Sequence, residues 1–498
     1  MHYSKEDAEL LSAYVSNLDK KVYVFRNLPP EVISTIFAYV SRSPLGFREI
    51  LLKMIKEEGV ISKPISQKVN EAVEKKAAEF QKKWVVGFGH FSIAEHAVLN
   101  IAIEDISILL TKILEDNRLA SYTEKSTRYQ VFDKSRYYKP KKIMGSKHSK
   151  LYEETMNGLF DFYSKSFGSA ESYFKEKFPK KEGMSDAYYA SYIKGKACDV
   201  LRYALPASTL TNVAATFNAR SLAHAVEKLL SNQLDEAKQL GLLMKEEASK
   251  VMPTLGSFAE RNPYIEETEM ALSKIAKEYF GGEKTAIATE VAGGSEVKLL
   301  FYEKDAEDNL IAAIMYKHLN VPFKDLFKKV KKLSKEKKEK IFEEFFKRIQ
   351  NKDEPLREIE HTTYTFEILM DYGAYRDIQR HRICTQTTQL LSTKHGFCVP
   401  EELDAMGLKK EFCENMERAA ELYKAVSEEF PIEAQYCVPL AFRKRTLFTM
   451  NARELYHIIR LRSGKTGHKS YRKVAQQMYC ELQKAQPLIA KYFAVDLS

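Results

Sequence analysis

The chain has 498 residues, 44% of them apolar and 29% charged, a balance that excludes a disordered polyelectrolyte and leaves room for two or three domains with their own cores. A formal net charge of +10 asks for anionic partners, either nucleic acid or phosphorylated small molecules. No apolar run of spanning length and no charged-then-apolar leader is visible in Met1–Leu18, and six scattered cysteines without a C-x-x-C pair suit a reduced, cytoplasmic protein off the membrane.

Residues 5–57 carry helical spacing in three segments: DAELLSAYVSNL, then PPEVISTIFAYVSRS behind two prolines suited to a helix start, then LGFREILLKMI. Ser66–Lys83 continues it. HAVLNIAIE, from His96, alternates as a strand does, and helical spacing returns from Ser107 towards Arg118. The next stretch, LASYTEKSTRYQVF, is expected as a loop; its Ser121, Glu124, Ser126 and Arg128 are of the types that hold a phosphate and a base edge. Residues 139–187 are lysine-rich and helical, Tyr188–Tyr203 is a helix, and TNVAATFNARSLAHAVEKLL, from Thr211, is a strand leading into a helix. Two Gly-Gly pairs and no helical period place a seam at residues 276–294, with domains at 1–275 and 295–498. Beyond it come a strand, SEVKLLFYE, and helices from Asn309, Phe323 and Ser334. The run Lys328–Lys340 includes Glu336 and Glu339 and no aromatics, so it reads as a solvated helix face more than a nucleic-acid platform.

DYGAYRDIQRHR, Asp371–Arg382, ends an amphipathic segment with Arg380, His381 and Arg382 side by side. Arginine forks grip phosphate or carboxylate, and histidine donates or accepts near neutral pH. Alone, the triplet reads as well as a solvated basic helix end, favoured by the dipole. Its surroundings, however, recur. Glu95-His96 matches Glu360-His361, a strand follows each, Arg118 matches Arg382, and FNARSLAH (Phe217–His224) matches MNARELYH (Met450–His457). Two matches in the same order indicate an internal duplication with an extra segment in the first copy. Cys384, His395 and Cys398 are the nearest approach to a metal cluster, and they lack a fourth ligand.

These motifs resemble those of the flavin-dependent thymidylate synthase (ThyX) family, whose signature is RHRxxSxxxxSxR with an upstream GHxSxxEH and a downstream NARxLxH. Both halves resemble it. The resemblance implies an α/β fold in two tandem copies, each a small sheet with many helices. It also implies conversion of dUMP to dTMP with FAD, NADPH and methylenetetrahydrofolate, and no protein nucleophile. Family sites are assembled between subunits of a tetramer, so this two-copy chain is expected as a homodimer resembling that tetramer, buried through the helices around Arg220 and Arg453. No G-x-G-x-x-G loop opens a helix after a strand, so the flavin is expected on Arg, His and Asn side chains.

By that resemblance, dUMP falls to Ser121, Glu124, Ser126, Thr127 and Arg128 of the nucleotide loop, to Arg202 in LRYALP, and to Arg380 and Arg462 of the second copy. Arg462 is the expected catalytic cation beside the uracil N3; Arg128, Arg202 and Arg380 are the expected phosphate clamp. FAD falls to His90, Ser92, Glu95, Asn218 and Arg220 in the first copy, and to Arg380, His381, Arg382, Asn451, Arg453 and His457 in the second. The losses are complementary. In the first copy the triplet is Asp116, Asn117, Arg118 and the ionising arginine is Leu229. In the second, the loop has Leu390 and Ser392 for Ser and Arg, Gln435 stands for Arg202, and Pro355 and Arg357 replace His and Ser. One composite site is then complete and the reciprocal site has neither half. Asp377 stands where the family usually has a glutamine beside the uracil. The rival readings are an inactive flavin- or nucleotide-binding paralogue with a scaffold or regulatory role, and a nucleic-acid-binding protein.

Overall fold

Two small antiparallel sheets, each surrounded by helices, organise the chain as a tandem α/β arrangement. The computed structural model describes residues 3–40, 43–56, 77–82, 91–134, 136–257, 259–281, 289–290, 295–350 and 353–498. His90 lies outside them, as does most of the helix expected over Ser66–Lys83. Two compact units are present, and they do not follow chain order. The first comprises Met1–Ile106, Ile113–Glu124 and Thr211–Gly282; the second comprises Ser107–Lys112, Lys125–Leu210 and Glu283–Ser498. A long piece of the first repeat therefore belongs to the same unit as the second repeat.

In the first unit, the helices Lys5–Tyr14, Pro30–Val40 and Phe47–Lys56 enclose Leu11, Val32, Ile36, Leu51 and Ile55. Its sheet has the order β1-β3-β2, from β1 (Val98–Ser107), β2 (Ala120–Glu124) and β3 (Leu210–Asn218). β2 replaces the first part of the expected loop. Its backbone pairs with β3 from Ala120 opposite Phe217 to Glu124 opposite Val213, so hydrogen bonds from a distant strand order a polar segment that has no apolar alternation of its own. Asn218 ends β3 and caps the helix Ala219–Leu230, its side-chain oxygen accepting from the Ser221 N–H at 2.8 Å. A second correction concerns Lys277–Phe280, expected to lack a helix. They complete the helix Pro263–Phe280, which has an asparagine cap and a proline in its first turn and meets no glycine before Gly281.

The second unit has the sheet order β4-β5-β7-β6, from β4 (Glu296–Tyr302), β5 (Thr363–Asp371), β6 (Cys384–Thr388) and β7 (Arg443–Asn451). β5 and β7 pair along their full length, Thr363 opposite Asn451 and Asp371 opposite Arg443. β6, again a polar edge segment expected as loop, pairs with β7 from Cys384 opposite Met450 to Thr388 opposite Thr446. The long helices Ser149–Lys177 and Lys409–Glu429, one from each repeat, pack with the Phe162 and Phe412 rings 5.7 Å apart. Beside them the two proline segments pair: the Ala207 N–H donates to the Val438 carbonyl at 2.9 Å, and the Leu440 N–H to the Leu205 carbonyl at 2.9 Å. No helix among the described residues is long and apolar enough to cross a membrane.

Candidate functional site

The proline pairing sets up the site. The helix Asp186–Leu201 tightens into a 3-10 turn, Arg202–Ala204, just before Leu205 and Pro206. Leu440, which holds Leu205, also accepts from the Gly373 N–H at 3.1 Å, so one segment of the second repeat fixes both the Arg202 turn and the start of the helix Tyr372–Ile378. Asp371 caps that helix by accepting from the Ala374 N–H at 2.7 Å. All seven of the helix's residues are buried, which removes the amphipathic reading of this stretch, while beyond the helix His381 is buried and Arg380 is half exposed. A Cβ at Gly373 would press on the cap, lying 3.1 Å from Asp371 Oδ1, and would touch Arg202 Nη2 at 3.4 Å.

Arg202 is only 2% exposed. Its Nη1 lies 3.6 Å from Asp377 Oδ2, and its Nε and Nη2 have no hydrogen-bond partner. A buried guanidinium with unspent donors is costly, and such groups mark ligand-binding positions. Asp377 is buried too. Burial alone would raise its pKa, but the charges of Arg202, Arg380, Arg462 and Arg376 outweigh it and hold the carboxyl below the ordinary value, hence ionised. Arg380 Nη1 stands 3.9 Å from Asp377 Oδ1 on a side chain that is 49% exposed. Arg376 reaches back to the first repeat, donating from Nη1 to Thr127 Oγ1 at 3.2 Å.

Arg128 and Arg462 are linked through Tyr471. Arg128 forks onto Asp199, Nε to Oδ1 at 2.7 Å and Nη2 to Oδ2 at 2.9 Å, and donates from Nη1 to the Tyr471 hydroxyl at 3.1 Å. Burial pushes the Asp199 carboxyl up, and the Arg128 bonds together with neighbouring charge bring it below its usual value. The Arg462 guanidinium carbon is 5.5 Å from the Tyr471 ring centroid, and its Nε donates to His381 Nε2 at 2.8 Å. His381 Nδ1 meets Glu454 Oε1 at 3.0 Å. Burial drives the His381 pKa down to about 4, so the ring is neutral, donates to Glu454 and accepts from Arg462. His468 is likewise neutral, with a pKa lowered to about 4 by burial and the Arg202 charge; its Nε2 donates to the Asp199 carbonyl at 3.0 Å. A cavity of about 510 Å³ is lined by Asp199, Tyr203, Asp371, His468 and Ser470, and Ser470 also donates to Asp371.

The structure thus brings together, within the second unit, Thr127, Arg128, Arg202, Arg380, His381 and Arg462; Ser126 adjoins them, accepting from the Arg128 N–H at 3.2 Å. Arg202 is buried, and Arg128 is partly buried in its ion pair with Asp199. Ser121 and Glu124 lie on β2 in the first unit. Of the residues expected on flavin, Glu95 pairs with Arg220 at 2.6 Å, Ser92 lies just before it in the chain, and Asn218 is a helix cap, all in the first unit. In the second unit Asn451 caps the helix Ala452–Ser463, Arg453 is held by the Pro355 carbonyl at 2.8 Å and Glu360 at 3.2 Å, His457 by Glu354 at 2.9 Å, and Arg382 is partly buried beside His381. The replaced positions are structural: Leu229 is core, and Gln435 accepts from the Leu391 N–H at 3.1 Å and donates to the Ile432 carbonyl at 3.0 Å.

Four neighbours of these residues carried no motif of their own: Asp199, Arg376, Glu454 and Tyr471. Two carried a local signal. Asp199 sits one turn before Arg202 on the same helix face, and Glu454 stands at the third helical position behind the Asn451 cap, the spacing of a capping box.

With this geometry in hand, comparison with known proteins is decisive at the family level. A family profile described as thymidylate synthase complementing protein matches residues 49–254 and again 298–488. The chain belongs to this family. Among relatives, a UPF0159 protein of Chlamydia pneumoniae is 35% identical over all of this chain and 96% of its own length. A UPF0159 protein of Thermoplasma acidophilum is 27% identical over 84% of the chain and 89% of its own length. A flavin-dependent thymidylate synthase of Saccharolobus solfataricus is 30% identical over 38% of the chain and 67% of its own length. Membership in the flavin-dependent thymidylate synthase superfamily follows; the double match agrees with two sheets built on the same plan.

Proposed function

We propose that this thymidylate synthase complementing protein is a flavin-dependent thymidylate synthase, methylating dUMP reductively to dTMP with methylenetetrahydrofolate and NADPH at one composite site in its second unit. The supporting observation is that the cationic residues retained by each repeat meet. Arg202 of the first lies 3.6 Å from Asp377 of the second, and Arg128 of the first and Arg462 of the second share Tyr471. Arg462, oriented by neutral His381, keeps a fixed positive charge in a partly buried setting, suited to stabilising negative charge that develops on a pyrimidine ring. Arg380, half exposed, and Arg128, by exchanging part of its bond to Asp199, hold and orient the phosphate.

The residues present fit a flavin. Arg380 has a half-exposed guanidinium whose nearest acid is 3.9 Å away, the donor chemistry a diphosphate needs, and Arg382 follows it. Bound flavin, reduced by NADPH, supplies the two electrons that turn a transferred methylene into a methyl group. The protein is proposed to act in the cytoplasm as a homodimer through the helices bearing Arg220 and Arg453, with domains at 1–275 and 295–498.

One observation favours a second reading, an inactive nucleotide-binding paralogue: the Arg128 fork is already taken by Asp199. The test has two parts. A visible spectrum of the purified protein is expected to show oxidised flavin, and anaerobic turnover with dUMP, methylenetetrahydrofolate and NADPH is expected to yield dTMP. Flavin without dTMP moves the argument to the second reading; neither flavin nor nucleotide binding sinks both.

A further inference from the structure

The helix Lys335–Phe346 carries two apolar stripes where the core uses one. Phe342 and Phe346, four residues apart, are buried. Ile341 and Phe345, also four apart, stand on an adjoining face and are only partly buried. They line a cavity of about 980 Å³ in the second unit, together with Ile314 and Met315 from the C-terminal end of the helix Ala306–Tyr316 and with Leu356, which is 57% exposed. A volume of that order suits a small molecule. The wall is tied to the fold through Glu354, which meets His457 Nδ1 at 2.9 Å and pairs with Arg460, both on the helix Ala452–Ser463. None of the residues expected on nucleotide or flavin lines this cavity.

Its rim has cations to spare. Lys317, Lys337, Lys340 and Arg348 share it with Glu344, Asp353 and Glu354. The acids are engaged: Glu344 with Arg348 and Lys347, Glu354 with Arg460 and His457, and Asp353 with the Gln350 N–H at 3.0 Å. Lys317 pairs with Glu358. Lys337 and Lys340, exposed and about one turn apart, have neither an ion pair nor a hydrogen bond among the described residues. They belong to the lysine-rich run that reads as a solvated face, and here they stand over an apolar recess. The two features select a ligand together. Isoleucine, leucine and an adaptable methionine favour an aliphatic body, and apolar surface left open in a recess gains from covering. The ammonium groups are point charges that attract an anion without the planar fork by which arginine selects phosphate.

We propose that this cavity binds an alkyl carboxylate of the fatty-acid type, with its chain against Met315, Ile341 and Phe345 and its carboxylate at Lys337 and Lys340. The site shares no residue with the one proposed for the nucleotide and stands independently of it.

The experiment is isothermal titration of the full-length protein, as purified, with decanoate, with decan-1-ol, which keeps the chain and drops the charge, and with butyrate, which keeps the charge and drops most of the chain. It is repeated on Lys337→Glu/Lys340→Glu and on Lys328→Glu/Lys329→Glu, a pair from the same run that changes the net charge equally and does not line the cavity. All four lysines are exposed, so both variants are expected to fold. Decanoate is expected to saturate at one per chain and to bind at least tenfold more tightly than decan-1-ol or butyrate, with no flavin released into the filtrate. The Lys337/Lys340 reversal is expected to weaken decanoate at least tenfold and to leave decan-1-ol within threefold, while the Lys328/Lys329 reversal leaves both within threefold. Absence of saturable binding overturns the proposal. So does equal loss in the two variants, which marks a general effect of net charge, and so does release of flavin by decanoate, which puts the ligand in the flavin site. Each of these results leaves the proposed function standing, and absence of dTMP formation leaves this proposal standing.

Discussion

Lys444 offers a test whose magnitude comes directly from the structure. It sits on β7 opposite Met370, 8% exposed, with the Tyr375 and Tyr372 ring centroids 4.8 and 5.7 Å from its ammonium. Burial pulls its pKa from the ordinary 10.5 down to about 8. The sign follows from proton counting. Between pH 8 and 10.5 the unfolded chain binds the proton that the folded chain has released, so stability rises with pH across that window and the full cost of the buried charge is felt below pH 8. At about 1.4 kcal/mol per pH unit the cost is about 3 kcal/mol, offset in part by cation–π attraction of roughly 1 kcal/mol. Lys444→Met keeps the volume and removes the charge. It is expected to stabilise the second unit by about 2 kcal/mol at pH 7, read as a higher urea midpoint, with the advantage shrinking to nothing as pH approaches 10.5. A variant less stable than the parent at pH 7, or an advantage that does not change with pH, would refute the reasoning.

Arg462→Ala is expected to lower kcat and kcat/KM together by about two to three orders of magnitude, about 3–4 kcal/mol for a lost preorganised charge, in steady-state dTMP formation. Glu454→Gln frees the His381 tautomer that orients Arg462 and is expected to lower kcat about tenfold with little change in KM. His381 and His468 are held neutral with pKa values of about 4, so the stability they lend is present above the ordinary 6.5 and lost as pH falls from 6.5 towards 4; the calorimetric Tm should drop through that window, and less steeply in His468→Gln. Light scattering at micromolar concentration should give twice the 57.4 kDa chain mass, and a single-chain mass would contradict the dimer.

The parts of the fold legible in the sequence were those with a strong local signal. β3 alternates in burial along its length and ends at the cap Asn218, and β5 alternates over its first half and ends at the cap Asp371. β2 and β6 were not legible because edge strands of polar residues owe their backbone hydrogen bonds to a partner far along the chain. The repeated motifs identified the arginines, but their surroundings depend on long-range packing. Asp199 meets Arg128 across 71 residues and Tyr471 meets it across 343, separations at which no periodicity operates. The exposure of Arg380 against the burial of His381, adjacent in the chain, is likewise set by the turn that ends the helix Tyr372–Ile378 and by the Glu454 contact, not by residue type.

The central claim is that two half-decayed repeats form one working site, and steady-state kinetics on a matched pair of substitutions tests it most directly. Arg202→Ala removes the buried guanidinium whose Nη1 lies 3.6 Å from Asp377, whereas Gln435→Met alters the corresponding position of the other repeat, whose hydrogen bonds go to Leu391 and Ile432. With both variants shown to be folded, the account predicts that Arg202→Ala raises the nucleotide KM at least tenfold and that Gln435→Met stays within a few-fold of the unmodified protein. Equal damage from the two would mean that both positions serve a site, and would contradict the single composite site.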